Sequence, residues 1–78
     1  MTKTKIFLQA INDVKDFVTI VMRYDFDIDL VSGRYAVDAK SIMGIFSLDL
    51  TKALKLVVHS DGEDADEFLD DIKRFIAE

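Results

Sequence analysis

The sequence predicts a two-layer α+β sandwich, with an antiparallel sheet covered on one side by helices. Three observations carry this. Residues 25–31, Asp-Phe-Asp-Ile-Asp-Leu-Val, alternate with period two: Phe26, Ile28 and Leu30 lie on one side, Asp25, Asp27 and Asp29 on the other. One face of that strand is therefore buried and the other wet, as in an antiparallel sheet open on one side. Val14, Phe17, Val18, Val21 and Met22 recur at i, i+3, i+4, i+7 and i+8, so the segment before it is an amphipathic helix with one apolar stripe. Further half-apolar strands and a second striped helix follow, with no repeat, linker or low-complexity tract between them.

In chain order, Lys3 to Gln9 alternates in part, with Ile6 and Leu8 against Lys5 and Phe7, and is predicted as a first strand. Neither proline nor glycine follows it, so Asn12 or Asp13 is expected to cap the helix, which runs to about Arg23. After the strand of residues 25–31, Ser32-Gly33 forms a turn, and Arg34 to Ala39 returns as a strand with Tyr35, Val37 and Ala39 on one side. Ser41 suits the N-cap of a short helix, because its hydroxyl can accept a free backbone N–H one turn on. Ile42, Ile45 and Phe46 follow at helical spacing, and Gly44 permits close approach but disfavours a long helix, so about two turns are expected. Leu54 to His59 is a fourth strand with Leu54, Leu56 and Val58 inward and Lys55 and His59 outward. Asp61-Gly62 turns into a last helix with Ala65, Phe68, Leu69, Ile72 and Ile76 on one side. Its acidic start (Glu63, Asp64, Asp66, Glu67) and basic end (Lys73, Arg74) suit the helix dipole.

Composition narrows the function classes. At 78 residues, half of them hydrophobic and six of them Phe, the chain can build one small core. It has no cysteine, so neither disulfides nor thiolate metal sites stabilise it, which suits a reducing compartment. A net charge of −5 and a pI near 4.7 argue against nucleic acid as a partner. Met1 leads into a strand-like segment rather than a signal peptide, and no apolar run is long enough to cross a bilayer. A cytoplasmic setting is therefore expected.

Lys40-Ser41-Ile42-Met43-Gly44, followed by Ser47-Leu48, resembles the regulatory-serine segment of HPr, the histidine phosphocarrier family of the bacterial sugar phosphotransferase system. In that family a dedicated kinase phosphorylates the serine, and the short helix after it docks partners. The order strand, helix, strand, strand, short helix, strand, helix extends the resemblance to nearly the whole chain. The resemblance implies one HPr-like domain over residues 1–78, a four-stranded antiparallel sheet in the order 1-4-2-3, and all three helices on one face. It also implies protein partners from the phosphotransferase or carbon-catabolite regulation system, an HPr-type serine kinase among them, and a monomer or weak dimer.

In one respect the sequence departs from the family. The family's phosphocarrier histidine opens the first helix in a Gly-x-His-Ala-Arg-Pro-like segment, where the helix N-terminus and the arginine steady the phosphate. Counted back from Ser41 without gaps, the histidine position falls on Ala10, the arginine position on Asn12 and the proline position on Asp13. Ile6 to Phe17 contains neither His nor Arg, and Asp13 and Asp16 would repel a phosphoryl group. The expectation is that histidine phosphotransfer is absent.

The other candidates are weighed on chemistry. His59, the only histidine, falls late on the polar side of a strand, without the N–H cluster that steadies a phosphohistidine, and reads as a solvated residue. Ser41 has two readings, a helix cap or a regulatory phosphorylation site at a helix N-terminus. Ile42, Met43 and Phe46 are core or partner-binding surface; a short helix on a sheet buries one side only, so Met43 and Phe46 are expected in a partly exposed apolar patch. Asp25, Asp27 and Asp29 lack a metal-ligand pattern, and the acidic run from Asp61 to Glu67 lacks calcium-loop spacing. Neither a nucleophile–base pair nor a phosphate-cradling loop is visible, so no enzyme activity, metal or cofactor is expected. The function so predicted is a regulatory or adaptor relative of HPr, the alternatives being an accessory phosphocarrier with an unrecognised site, or an interaction domain retaining only the fold.

Overall fold

The computed structural model describes residues 1–77. Its elements are β1 (Thr2–Ile6), α1 (Ile11–Val21), β2 (Ile28–Ser32), β3 (Tyr35–Asp38), α2 (Ile42–Phe46), β4 (Leu54–Val58) and α3 (Gly62–Asp71), followed by a 3-10 turn, Lys73–Phe75. The four strands form one sheet in the order β1-β4-β2-β3, with every neighbouring pair antiparallel. The sheet order and the three helices agree with the expected fold.

Alternation along the strands decides which face the helices cover. Ile6, Ile28, Leu30, Leu54, Leu56 and Val58 are fully buried and share one core with Val14, Phe17 and Val21 of α1, Ile45 of α2, and Ala65 and Phe68 of α3. The intervening residues Lys3, Lys5, Lys55 and Asp38 are exposed on the opposite, open face. Burial of each large apolar side chain contributes about 1.5–3 kcal/mol, which is what holds three helices against strands of four and five residues.

Local signals account for most element ends, and the exceptions have physical causes. Helix α1 starts at Ile11 with Ala10 in the extended N-cap position and no side-chain cap; neither Asn12 nor Asp13 caps it. Asp13 instead sits in the first turn and its carboxylate accepts the Gln9 N–H at 3.1 Å, satisfying a donor that precedes the cap. Strand β1 ends at Ile6, not Gln9, although Leu8 is buried as expected. Around Ile6 the chain pairs with the C-terminal segment: the Phe7 N–H donates to the Phe75 carbonyl and the Ala77 N–H to that of Lys5, both at 2.8 Å. Strand β2 starts at Ile28 rather than Asp25, so Asp25, Asp27 and Asp29 do not share one strand face. Phe26, still partly buried, lies under Tyr24 and Phe68, with ring centroids 5.4 and 6.1 Å away.

Two apolar assignments change side. Met22 and Tyr35 are 62% and 73% exposed, because α1 ends at Val21 and β3 is an edge strand whose outer end has no helix over it. Val18 and Leu69 are partly rather than fully buried. The last helix stops at Asp71, so Lys73, Arg74 and Ile76 are not in it, and the basic pair falls in the 3-10 turn directly after its C-cap, Ile72. That early stop turns Phe75 inward, where it meets Phe17 edge-on with centroids 5.9 Å apart.

Candidate functional site

Helix α2 is a single tight turn and a half whose entrance is built by Ser41. The Ser41 backbone is extended, and its Oγ accepts the Gly44 N–H at 3.1 Å, as the N-cap reading requires. With five residues the helix is shorter than the expected two turns. Gly44 explains how it lies so close to the sheet: a Cβ there would stand 3.2 Å from the Val37 Cβ of β3 and 3.2 Å from Ser41 Oγ. The Ser47 N–H and hydroxyl both donate to the Gly44 carbonyl and close the helix. Asp49 then accepts the Thr51 N–H and hydroxyl, which holds its carboxyl below the usual carboxylate range.

The faces of α2 divide sharply. Ile45 is fully buried and anchors the helix in the core, and Ile42 is half-buried. Met43 is 76% exposed and Phe46 40%, the partly exposed apolar patch predicted for them. Ser41 is an exposed residue even as it caps. One neighbour was not foreseen: Asp38, at the end of β3, accepts the Lys40 N–H at 2.8 Å and places a carboxylate in the turn before Ser41. The spacing Asp-Ala-Lys was its signal, since an Asp commonly bonds the backbone N–H two residues on.

Helix α1 neighbours α2 over the sheet. Its N-terminus holds Ala10 at the cap and Asn12 in the first turn, both exposed, with Ile11 64% exposed between them. A depression of 380 Å³ adjoins it, lined by residues that include Gln9, Asp13, Arg74 and Phe75. Arg74 was missed by sequence reasoning because it is remote in the chain. Its guanidinium donates to Asp16 at 2.8 Å and lies 4.3 Å over the Phe75 ring, so the cation delivered here is already engaged by a carboxylate of α1.

His59 follows β4 on the open side of the sheet, away from α1. It is paired rather than merely solvated: Nε2 is 2.8 Å from the Asp29 carboxylate, both side chains being about two-fifths exposed or slightly less, and its backbone N–H donates to the Asp27 carbonyl. Among the described residues no three His, Cys, Asp or Glu side chains stand close enough to hold a metal ion, and no helix is long and apolar enough to cross a membrane.

The order and pairing of strands, the capped short helix and the positions of α1 and α2 are those of a known family. The family model described as "PTS HPr component phosphorylation site" matches residues 12–78. The chain belongs to the HPr family. Its fold is similar to HPr-C-His from Thermoanaerobacter tengcongensis (TM-score 0.76, 25% identity, covering 95% of this chain and 89% of that one). It is similar also to the phosphocarrier protein HPr of Bacillus anthracis (TM-score 0.69, 26% identity, 96% and 93% covered). The histidine-containing phosphocarrier protein of Mycoplasma shares the fold at 16% identity, with a TM-score of 0.72 over 94% of this chain and 89% of that one. No curated protein gives a significant sequence match. Membership in the HPr family, the phosphocarriers of the phosphotransferase system, implies interaction with proteins of that system. The match starts at residue 12, past Ala10.

Proposed function

We propose that this HPr-family chain is a regulatory or adaptor member that has given up histidine phosphotransfer and acts through the surface of α2. One observation carries the reading: Ala10 stands at the N-cap of α1, and the first turn holds the carboxylate of Asp13 where a phosphoryl group would need cations. A phosphohistidine needs the imidazole at that helix end together with donors around it, and a carboxylate in the same turn opposes it. His59 does not replace it, because it lies on the opposite side of the sheet and is engaged by Asp29. On this reading the protein is not an enzyme, and its partners are proteins of the phosphotransferase or carbon-catabolite regulation system in a bacterial cytoplasm.

Ser41 is the regulatory site in this proposal, with Ile42, Met43 and Phe46 as partner-binding surface. The Ser41 hydroxyl at the entrance of α2 faces the Gly44 N–H, so a phosphate on it meets a backbone donor and leaves the buried Ile45 anchor undisturbed. It converts the rim of the Met43–Phe46 patch from apolar to strongly anionic, a change that selects partners without a large movement. An HPr-type serine kinase with ATP is expected to phosphorylate the wild type and leave Ser41→Ala unmodified; a kinase that ignores the wild type removes the regulatory assignment. Incubation with enzyme I and labelled phosphoenolpyruvate is expected to leave the protein unlabelled. Acid-labile phosphate on His59 would instead establish the accessory-carrier alternative. If neither modification occurs and no phosphotransferase protein binds, the chain is an interaction domain that retains only the fold.

A further inference from the structure

On a chain of net charge −5, one region of the open sheet face carries only positive charge. Lys5 of β1 and Lys55 of β4 are direct cross-strand partners, both exposed, and Lys3 lies two residues further along the same face. Lys52, in the loop entering β4, adds a further ammonium. Like charges directly opposite each other destabilise a sheet, so this pairing works against the fold it sits in. Among the described residues none of these lysines forms an ion pair. Lys5, Lys52 and Lys55 line a shallow depression of 360 Å³ whose far wall is Ser32 and Gly33 of the β2–β3 turn. Among the described residues no carboxylate lines it. Gly33 has φ +59° and no side chain, which leaves the backbone of the turn open to a ligand.

We propose that this depression is a binding site for a small, multiply charged anion of the phosphoester or pyrophosphate class. Lysine side chains from two adjacent strands and a loop line it, beside the open backbone of the β2–β3 turn. Its volume lies at the lower end of the roughly 300–1,000 Å³ typical of small-molecule sites, which favours a compact ligand over a protein segment. The helices lie on the other side of the sheet, so the site is separate from Ser41 and α2 and does not depend on their proposed role.

The probe is inorganic pyrophosphate, titrated at low ionic strength into the full chain while backbone amide shifts are followed by NMR. Saturable shifts are expected at Lys5, Ser32, Gly33, Lys52 and Lys55, fading as salt screens the charges. Lys5→Gln with Lys55→Gln is expected to weaken binding by roughly tenfold. Lys73→Gln, in the 3-10 turn and outside the depression, and Ser41→Ala are expected to bind as the wild type does. The double variant keeps two exposed positions polar and removes a cross-strand repulsion, so its thermal midpoint should equal or exceed that of the wild type and any loss of binding is not a loss of fold. Shifts spread evenly over all lysines, undiminished binding by the double variant, or binding of a poly-glutamate peptide on this face without binding of pyrophosphate would each overturn the proposal.

Discussion

Ser41 and Gly44 show how much two small side chains decide here. Ser41→Ala removes the acceptor for the Gly44 N–H at 3.1 Å, and should lower stability by about 1 kcal/mol, read from the urea midpoint. Ser41→Asp, which keeps an acceptor at the cap, should stay within a few tenths of a kcal/mol of the wild type. Gly44→Ala pits helix propensity against space. Alanine gains up to about 1 kcal/mol inside a helix, but overpacking costs about 1–3 kcal/mol. The opposing atom is the Val37 Cβ at 3.2 Å, fixed to the backbone of β3 and unable to swing away, so a net loss of about 1 kcal/mol is expected in the same measurement. Tyr24 makes a pH-dependent contribution. Burial pushes its hydroxyl up to about 12, helped by the hydrogen bond to Asp71 and by the nearby Asp71 and Glu67 carboxylates. The fold therefore prefers the protonated phenol: this stabilisation is complete below the ordinary value of 10.0 and fades as pH rises toward 12. Stability measured across that window should fall less steeply in Tyr24→Phe.

At the level of elements, the C-terminal segment does more than its length indicates. Residues 73–77 place Phe75 against Phe17, and their backbone bonds to Phe7 and Lys5 extend the pairing of β1 beyond its last sheet residue. Phe75→Ala should cost about 3–5 kcal/mol, as a buried aromatic truncation does, and should release the Phe7 amide to fast hydrogen exchange while the β2–β4 amides stay protected. Phe17→Ala should cost a similar amount, about 3–5 kcal/mol, because the same ring contact is lost from the α1 side. Helix α2 behaves differently. Five residues cannot form an independent helix, so α2 persists through the Ser41 cap, the Ile45 anchor and the closeness that Gly44 permits.

Across the whole molecule, charge is segregated while the core is continuous. The acidic run of α3 (Glu63, Asp64, Asp66, Glu67, Asp70 and Asp71) contains six of the 15 acidic residues and no basic one, and the ion pairs among described residues are all exposed or nearly so. Exposed pairs each contribute about 0–1 kcal/mol, too little to offset self-repulsion of a chain at −5. Raising ionic strength from near zero to about 0.15 M should therefore raise the thermal midpoint, since screening removes net repulsion before it removes much attraction. A midpoint that falls would show that the exposed pairs outweigh the repulsion.

Sequence periodicity determined the sandwich class, the inward strand residues Ile28, Leu30, Leu54, Leu56 and Val58, and Val14, Phe17 and Val21 of the α1 stripe; the serine hydroxyl determined the cap at Ser41. Each of these rests on interactions between residues close in the chain, where spacing is geometry: period two and period 3.6 name the buried side directly. Family resemblance, added to that pattern, carried the strand order. The tertiary structure alone decided what depends on contacts between distant residues. Ala10 stands at the cap of α1 without a capping side chain, while Phe7, just beyond β1, is held by the distant Phe75 carbonyl. Tyr35 and Met22 were left in solvent because the sheet edge and the end of α1 have no covering element, which periodicity cannot reveal. Arg74 reached Asp16 across 58 positions, and Lys5 came to face Lys55 across 50. Charge on a strand's outer face has no pattern to obey along the chain. Only the register of β1 against β4 turns three ordinary lysines into one positive surface, and only the closure of the C-terminal segment decides which charges stand beside the first helix.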